Sequence, residues 1–239
     1  MTEVSSKHIS LLGPKGNNQD RLLTPKQTSN GSWFAVADGM GGHIGGFEAA
    51  DTCISKLENI IDEGRTLKFV SIYNEIADEL KSRAIVDATL SKMGSTLSVC
   101  RYKDGEVFVG HVGDTRVDHY RGGGVMARTK DQTEVQKLLD DGVISKRQAK
   151  KYPRRNVLLS VLSPDRTYEL FTSQFSVQAG DRIIVSSDGF HELVPRRVLA
   201  EISSQHSLLD DFFEGLLVKL REQELKDDAT CIVVEINNT

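Results

Sequence analysis

Four short apolar runs in this chain of 239 residues each adjoin an aspartate. The carboxylates of Asp38, Asp114 and Asp188 follow WFAVA, VFVGHVG and RIIVSS, and the adjacent pair Asp227 and Asp228 precedes ATCIVVEI. Apolar runs of this length predict buried strands, so each aspartate is expected at a strand end. Clustered carboxylates cannot all stay ionised without cations, and Mg²⁺ and Mn²⁺ prefer oxygen ligands. Convergence of these strand ends would therefore create a divalent metal site.

Glycine follows two of these aspartates, as in Gly39 of the segment ADGMGGHIGG (37–46). Without a side chain, Gly39 can bring its carbonyl close to an ion and allows a substrate to approach the backbone. An Asp-Gly pair after a strand is also a common turn, which is the simplest reading of any one site taken alone. Recurrence of the pattern at several strand ends favours a metal site over unrelated turns.

The periodicity of apolar residues predicts the elements that must position these side chains. Steps of three and four residues over 47–61 and 69–85 predict two amphipathic helices. Short runs separated by Gly-rich turns predict an antiparallel meander over 95–101, 106–112, 115–121 and 124–128. Further helices are expected at 132–140, 145–151, 195–204 and 208–220, and further strands at 157–161, 168–175, 182–187 and 231–236. Helices inserted between antiparallel strands favour a layered α+β fold with two packed sheets and outer helices.

Composition limits the class of protein. Hydrophobic residues at 38% and charged residues at 27% are typical of a globular chain. The length, without any linker or repeat, predicts one domain over residues 1–239. A formal net charge of −4 provides no broad basic field, so we expect no nucleic-acid partner. Neither a leader peptide nor a long apolar stretch is recognisable, which predicts a cytoplasmic protein with no membrane association.

The three cysteines, Cys53, Cys100 and Cys231, are widely separated and form no C-x-x-C pair. This spacing argues against a disulfide framework and against a zinc site. None of them is followed by arginine at the spacing of a C-x5-R loop, which argues against a cysteine nucleophile.

Eight sequence blocks resemble, in order, the protein phosphatase type 2C (metal-dependent Ser/Thr phosphatase) family, and the wording DGMGGH is similar to its bacterial branch. The blocks are GNNQD (16–20), ADGMGGHIGG (37–46), GST (94–96), VGDTR (112–116), TKDQTEVQKLLDDGVIS (129–145), RNVL (155–158), GDRIIVSSDGF (180–190) and KDDAT (226–230). The resemblance implies a central antiparallel β-sandwich with helices on both outer faces. It also implies a phosphorylated Ser/Thr protein substrate, an opposing Ser/Thr kinase system and two Mg²⁺ or Mn²⁺ ions.

Carried over residue by residue, the resemblance implies that Asp38 bridges the two ions. Asp188 and Asp227 would complete one ion, and the Gly39 carbonyl would help to hold the other. The metals would activate a water that attacks the phosphate monoester directly, without a phosphoenzyme.

Further roles follow from the same resemblance. Asp20 would act through metal-bound water, and Asp114 would join Asp188 at a third, weaker metal site. Lys15 stands where the family has an arginine that clamps the phosphate, and lysine lacks the bidentate fork. His43 is a candidate acid for the leaving alkoxide, although a role in supporting the site is favoured, and Lys15 could also be a solvated loop residue.

Several positions depart from the family pattern. Gln132 and Tyr152 stand where histidine is common, and SVLS (160–163) replaces the usual R-A-L-G. Asp228 stands in place of a typical asparagine, and its extra charge could tighten metal binding or raise a neighbouring pKa. Gln132, Tyr152 and residues 160–163 lie around the segment that resembles the family's mobile flap beside the site. We call this segment the flap, and we expect unusual substrate selection from these departures.

Two alternatives remain open at this point. One is a metal-dependent hydrolase of small phosphate esters or nucleotides. The other is a catalytically weak or silent phosphoprotein-binding module, for which Lys15 and the altered flap argue and the intact aspartates argue against. The amphipathic stripes demand no partner, so a monomer is expected.

Overall fold

Two antiparallel sheets form the centre of the computed structural model, which describes residues 3–14, 16–40, 42–65 and 68–237. The strands in these ranges are β1 (Val4–Leu11), β2 (Asp20–Thr28), β3 (Gly31–Met40), β4 (Gly94–Ser95), β5 (Leu97–Lys103), β6 (Glu106–Val112), β7 (Arg116–Arg121), β8 (Gly124–Ala127), β9 (Phe171–Ser176), β10 (Arg182–Ser186) and β11 (Ala229–Ile236). The helices are α1 (Gly42–Asp62), α2 (Phe69–Val86), α3 (Glu134–Asp140), α4 (Lys146–Ala149), α5 (Asp188–Leu193), α6 (Arg196–Gln205) and α7 (Leu209–Arg221).

Each of the two sheets combines strands that are far apart in the sequence. One sheet runs β1-β11-β10-β7-β8, and the other runs β2-β3-β5-β6-β9 with β4 added beside β3. In the second sheet Asp20 lies opposite Asp38 in the β2–β3 register. The fold thus brings two of the predicted site residues together at the end of one strand pair.

Alternation of side chains along β3 explains how the layers pack. Phe34 and Val36 join the cluster between the sheets, while Trp33, Ala35 and Ala37 pack with α1 and α2 on the opposite face. Successive side chains of a strand point to opposite faces, so a strand covered on both sides is apolar at nearly every position. This double burial accounts for the uninterrupted apolar run before Asp38.

The outer helices complete four layers. Helices α1 and α2 cover the six-stranded sheet, and the residues of α5, α6 and α7 pack on the other side against Ile184 of β10 and Val233 of β11. The expected α+β architecture, a central β-sandwich with helices on both outer faces, is confirmed.

Two expectations about local structure were wrong. The meander does not continue past β6, because Gly113 adopts a positive φ of 105° and the chain then crosses to the other sheet, where β7 pairs with β10. Residues 157–161 form no strand; the contacts here are single bridges from Leu158 to Thr133 and from Leu162 to Ser95. Leu159 is 53% exposed and Val161 only 3%, so the segment passes from the surface to a buried position without joining a sheet.

The three cysteines were expected to form no disulfide framework. Cys53, Cys100 and Cys231 are free and buried, and burial raises the pKa of the Cys53 thiol to about 12. In the described ranges we find no helix with the length and apolar content needed to cross a bilayer.

Candidate functional site

A pocket of about 240 Å³ brings all the sequence-predicted aspartates together. Its lining carboxylates are Asp20, Asp38, Asp114, Asp188, Asp227 and Asp228. The other described residues that line it are neutral, and they include Gly39, Thr96 and Asn156. Among the described residues, therefore, the pocket wall carries six acidic groups and no lysine, arginine or histidine.

Asp38 is fixed by its own backbone at the end of β3. Its N–H donates to the Thr96 hydroxyl at 3.1 Å, and its carbonyl accepts the Thr96 N–H at 2.9 Å. The Ser95 hydroxyl also donates to this carbonyl, at 3.1 Å. The GST block thus holds the central carboxylate in position, a role that its sequence alone did not reveal.

Gly39 is required by the packing of β3 against α1. A Cβ added to Gly39 would lie 1.9 Å from the Gly46 carbonyl oxygen, and its own N–H donates to the Gln19 carbonyl at 3.2 Å. Any larger residue would push the first turns of α1 away from the pocket. The glycine therefore serves close backbone contact, and the role of its carbonyl as a metal ligand stays a prediction.

Asp20 is 2% exposed at the start of β2, and the Ser187 hydroxyl donates to it at 2.7 Å. Burial raises the pKa of Asp20 to about 7. The hydrogen bonds from Ser187 and Thr230 oppose this rise, and the charges of Asp228 and Asp188 add to it. A carboxyl group with this pKa holds a proton readily unless a cation replaces it.

Three other carboxyl groups of the pocket also have raised pKa values. Burial, followed by the charges of neighbouring aspartates, raises the pKa of Asp38 and of Asp114 well above its ordinary value. The pKa of Asp188 is raised for the same first reason and then by Asp227, and a hydrogen bond to Asp38 lowers it in part. Two carboxyl groups that share a hydrogen bond need either a proton or a cation between them.

Asp188 lies at the first position of α5, not in the strand that precedes it. A carboxylate in the first turn of a helix interacts favourably with the helix dipole. The sequence predicted Asp188 directly after a strand, and in the structure Ser187 alone separates it from the end of β10.

Asp228 anchors the loop between β1 and β2. Its two carboxylate oxygens accept the N–H groups of Gly13 and Gln19, each at 2.8 Å. Its own N–H donates to the Asp227 carboxylate at 3.0 Å. The departure from asparagine therefore has a structural explanation, since only a carboxylate offers an acceptor to both N–H groups.

The departures near the flap also make specific contacts. Gln132 accepts the Gly113 N–H at 2.7 Å and donates to the Glu169 carbonyl at 2.8 Å, which ties the loop before Asp114 to the chain beyond the flap. Tyr152 donates a short hydrogen bond to Glu134. Both residues thus hold backbone and helices together where a histidine was expected.

Two sequence predictions fall where no side chain is described. Lys15 lies outside the described residues, and so does the side chain of His43. The roles proposed for them, as phosphate clamp and as acid or supporting residue, stay predictions.

The residues present fit divalent cations by their chemistry. In the part of the chain that the structure describes, no three Asp, Glu, His or Cys side chains are yet grouped as a ready-made metal site. The all-oxygen donors and the raised pKa values of Asp38 and Asp188 suit Mg²⁺ or Mn²⁺.

Comparison with known proteins defines the class. The model of the family described as protein phosphatase 2C matches residues 12–230. The chain therefore belongs to the protein phosphatase 2C family, which confirms the resemblance and the enzyme class.

Two relatives and two solved structures show how far the similarity extends. The chain is 29% identical over 210 residues to serine/threonine phosphatase stp of Listeria innocua, covering 84% of this chain and 83% of the relative. It is 25% identical over 239 residues to protein phosphatase PhpP of Streptococcus pneumoniae, covering 96% and 97%. The crystal structure of the phosphatase PstP/Ppp of Mycobacterium tuberculosis superposes with a TM-score of 0.85 at 26% identity, covering 98% of this chain and 99% of that chain. A structure of the PstP catalytic domain in complex with two manganese ions shares the fold, with a TM-score of 0.81 at 23% identity and coverage of 98% and 99%.

Proposed function

We propose that this chain is a metal-dependent phosphatase of phosphoserine and phosphothreonine residues in proteins, in which water attacks the phosphate monoester directly. The observation that carries the proposal is the pocket of six carboxylates with no cationic side chain among its described lining residues. A phosphate group is an anion, so it can enter such a pocket only if cations first neutralise the charge of the carboxylates.

The proposed ligands follow from the positions of the carboxylates. Asp38 would bridge two Mg²⁺ or Mn²⁺ ions, with Asp188 and Asp227 on one ion and the Gly39 carbonyl on the other. Asp114, with Asp188, would hold a third, weaker ion. When bound, such ions neutralise charge on the phosphate and lower the pKa of a bound water towards about 7.

The remaining residues position these groups. Ser187 orients Asp20 by donating to its carboxylate, so that Asp20 can accept a hydrogen bond from solvent in the pocket. Asn156 lines the pocket and offers amide donors to a phosphate oxygen. We propose Lys15 as the side chain that clamps the phosphate from the β1–β2 loop.

The absence of a cysteine or histidine nucleophile in the described pocket wall supports direct attack by water. The described lining residues include no cysteine and no histidine, and the one hydroxyl among them, on Thr96, already accepts the Asp38 N–H. The three thiols are buried, and burial raises the pKa of each. The described wall thus offers no cysteine or histidine nucleophile for a phosphoenzyme, and the proposal assigns its aspartates to metal binding rather than to covalent catalysis.

The alternatives have less support. The pocket opens into a longer groove of about 570 Å³, with which it shares Asp114, Asn156 and Asp188. A groove of that size suits a peptide better than a small ester. The intact carboxylates argue against a silent binding module. The reaction that supplies the substrate would be phosphoryl transfer by a protein Ser/Thr kinase.

The test is release of phosphate from phosphothreonine and phosphoserine peptides in the presence of Mn²⁺ or Mg²⁺. We expect activity to vanish with a chelator and in the Asp38→Ala and Asp188→Ala variants. Asp210→Ala is the matched control, because this aspartate is 76% exposed on α7. Turnover that survives chelation, or that survives either pocket substitution, would exclude the proposed mechanism.

A further inference from the structure

The flap contains an unusual concentration of positive charge for an acidic protein. Residues 146–155, KRQAKKYPRR, include six lysines and arginines and no acidic residue, whereas the whole chain has a formal net charge of −4. This segment includes α4 and the chain that follows it. The basic segment lies beside the groove that leads out of the carboxylate pocket.

Most charges that line this groove neutralise one another. Arg116 pairs with Asp131 at 2.6 Å, Arg155 pairs with Glu192 at 3.2 Å, and Arg196 pairs with an aspartate of β7 at 2.8 Å. Outside these pairs, the charged residues of the described lining are two aspartates and two lysines.

Asp114 and Asp188 line both the groove and the carboxylate pocket. Lys146 and Lys150 line the groove and not the pocket; both are exposed and form no ion pair within the described ranges. Unpaired cations beside the pocket attract an anionic group.

The groove lining includes two of the four unpaired cations of the flap. Lys146 is the first residue of α4 and Lys150 directly follows its last residue, and both line the groove. Arg147 and Lys151 are equally exposed and unpaired among the described residues, but they do not line it. The chain therefore carries both the groove cations and a matched pair of solvated ones.

The groove lining also includes apolar side chains. These are Val135 and Leu139 of α3 and Ala149 of α4, and no residue of either short helix is fully buried. Partly exposed aliphatic side chains in a lining that also carries cations are suited to contact with a peptide.

We propose that this groove binds an acidic segment of the phosphoprotein substrate, with Lys146 and Lys150 pairing with its Asp or Glu side chains while the phosphorylated residue enters the pocket. The inference rests on the proposed phosphatase function and adds to it a class of preferred sequence. The two lysines would also offset the repulsion that an acidic substrate meets from the pocket carboxylates.

The experiment compares phosphothreonine peptides that carry glutamates on one side of the phosphorylated residue with peptides that carry glutamines at the same positions, for each side in turn. With Mn²⁺ present, we expect the wild-type protein to prefer one glutamate peptide by about three- to tenfold in kcat/KM, mainly through KM. The preference should shrink as NaCl is added, since exposed charges are screened.

The matched variants locate the effect. Lys146→Ala/Lys150→Ala should lose the preference, and Arg147→Ala/Lys151→Ala should keep it. A wild-type protein without the preference would overturn the inference, and so would equal losses in both double variants, which would indicate diffuse attraction.

Turnover of the glutamine peptides by the wild-type protein tests the proposed function separately. If these peptides are turned over without any glutamate preference, only the present inference fails. If neither kind of peptide is turned over, both proposals fall.

Discussion

Asp20 makes the stability of the metal-free protein depend on pH. Burial raises its pKa to about 7, compared with 3.8 for a free aspartate. Because the folded-state pKa is the higher one, the folded protein holds this proton more tightly than the unfolded chain. The resulting stability is fully present below pH 3.8 and is lost as the pH rises through about 7.

The substitution Asp20→Asn removes this dependence, because the amide has the shape of the protonated acid and stays neutral at every pH. One pKa unit corresponds to about 1.4 kcal/mol, so the shift gives the metal-free variant an advantage of about 2 kcal/mol at pH 5 and at most about 4 kcal/mol at pH 8. The Ser187 hydroxyl can still donate to the amide oxygen. The variant should therefore be the more stable protein, by a margin that grows with pH.

Urea denaturation in the presence of a chelator measures this margin. Trp33 is the single tryptophan of the chain and is 4% exposed, so its fluorescence reports unfolding. Asp210→Asn, on the exposed surface of α7, is the control and should show no margin at either pH. Added Mn²⁺ should stabilise the wild type more than the Asp20→Asn variant, because a ligand stabilises the state that binds it. A variant no more stable than the wild type at pH 8 would refute the reasoning.

Three other changes test the site. Gly39→Ala would place a Cβ 1.9 Å from the Gly46 carbonyl oxygen. We therefore expect the free energy of unfolding, measured in urea, to fall by about 1–3 kcal/mol and phosphate release to be lost. Turnover at the wild-type rate would contradict this. Asp228→Ala leaves two loop N–H groups without their acceptor, so it should lower the free energy of unfolding by about 1–3 kcal/mol. Asp228→Asn should lower it by less. Equal losses in the two variants would argue against the anchoring role. Lys15→Arg should lower KM for phosphopeptides by about threefold or more through a bidentate contact, and an unchanged or raised KM would mean that Lys15 is not the clamp.

The success of the sequence reading depended on how completely each element is buried. Strands β3, β10 and β11 are covered on both faces, so their apolar runs stood out. By contrast, β1 and β2 are edge strands with many polar side chains. Their sequences, VSSKHISL and DRLLTPKQT, contain no long apolar run that would predict a strand. Their backbones are strands because a neighbouring strand supplies hydrogen-bond partners, which local sequence does not record.

Local pattern also misled in a segment that joins no sheet. The apolar residues of 157–161 resemble a strand, yet the pairing within this range is a single bridge from Leu158 to Thr133. The same limit applies to the meander, since pairing of β7 with β10 joins segments that are far apart in the sequence. Periodicity describes which face is buried, and it does not specify the partner.

For the site, the sequence alone determined which groups could be offered to a cation, because the aspartate carboxylates and the Gly39 carbonyl are oxygen donors by residue type. The convergence of those aspartates in one pocket was decided by the two sheets, whose strand ends meet across the sandwich. Tertiary structure also made Asp228 a loop anchor and raised the pKa of Asp20, since both effects require burial and neighbours from distant segments. Residue chemistry is local, whereas dielectric surroundings and hydrogen-bond partners come from the folded chain as a whole.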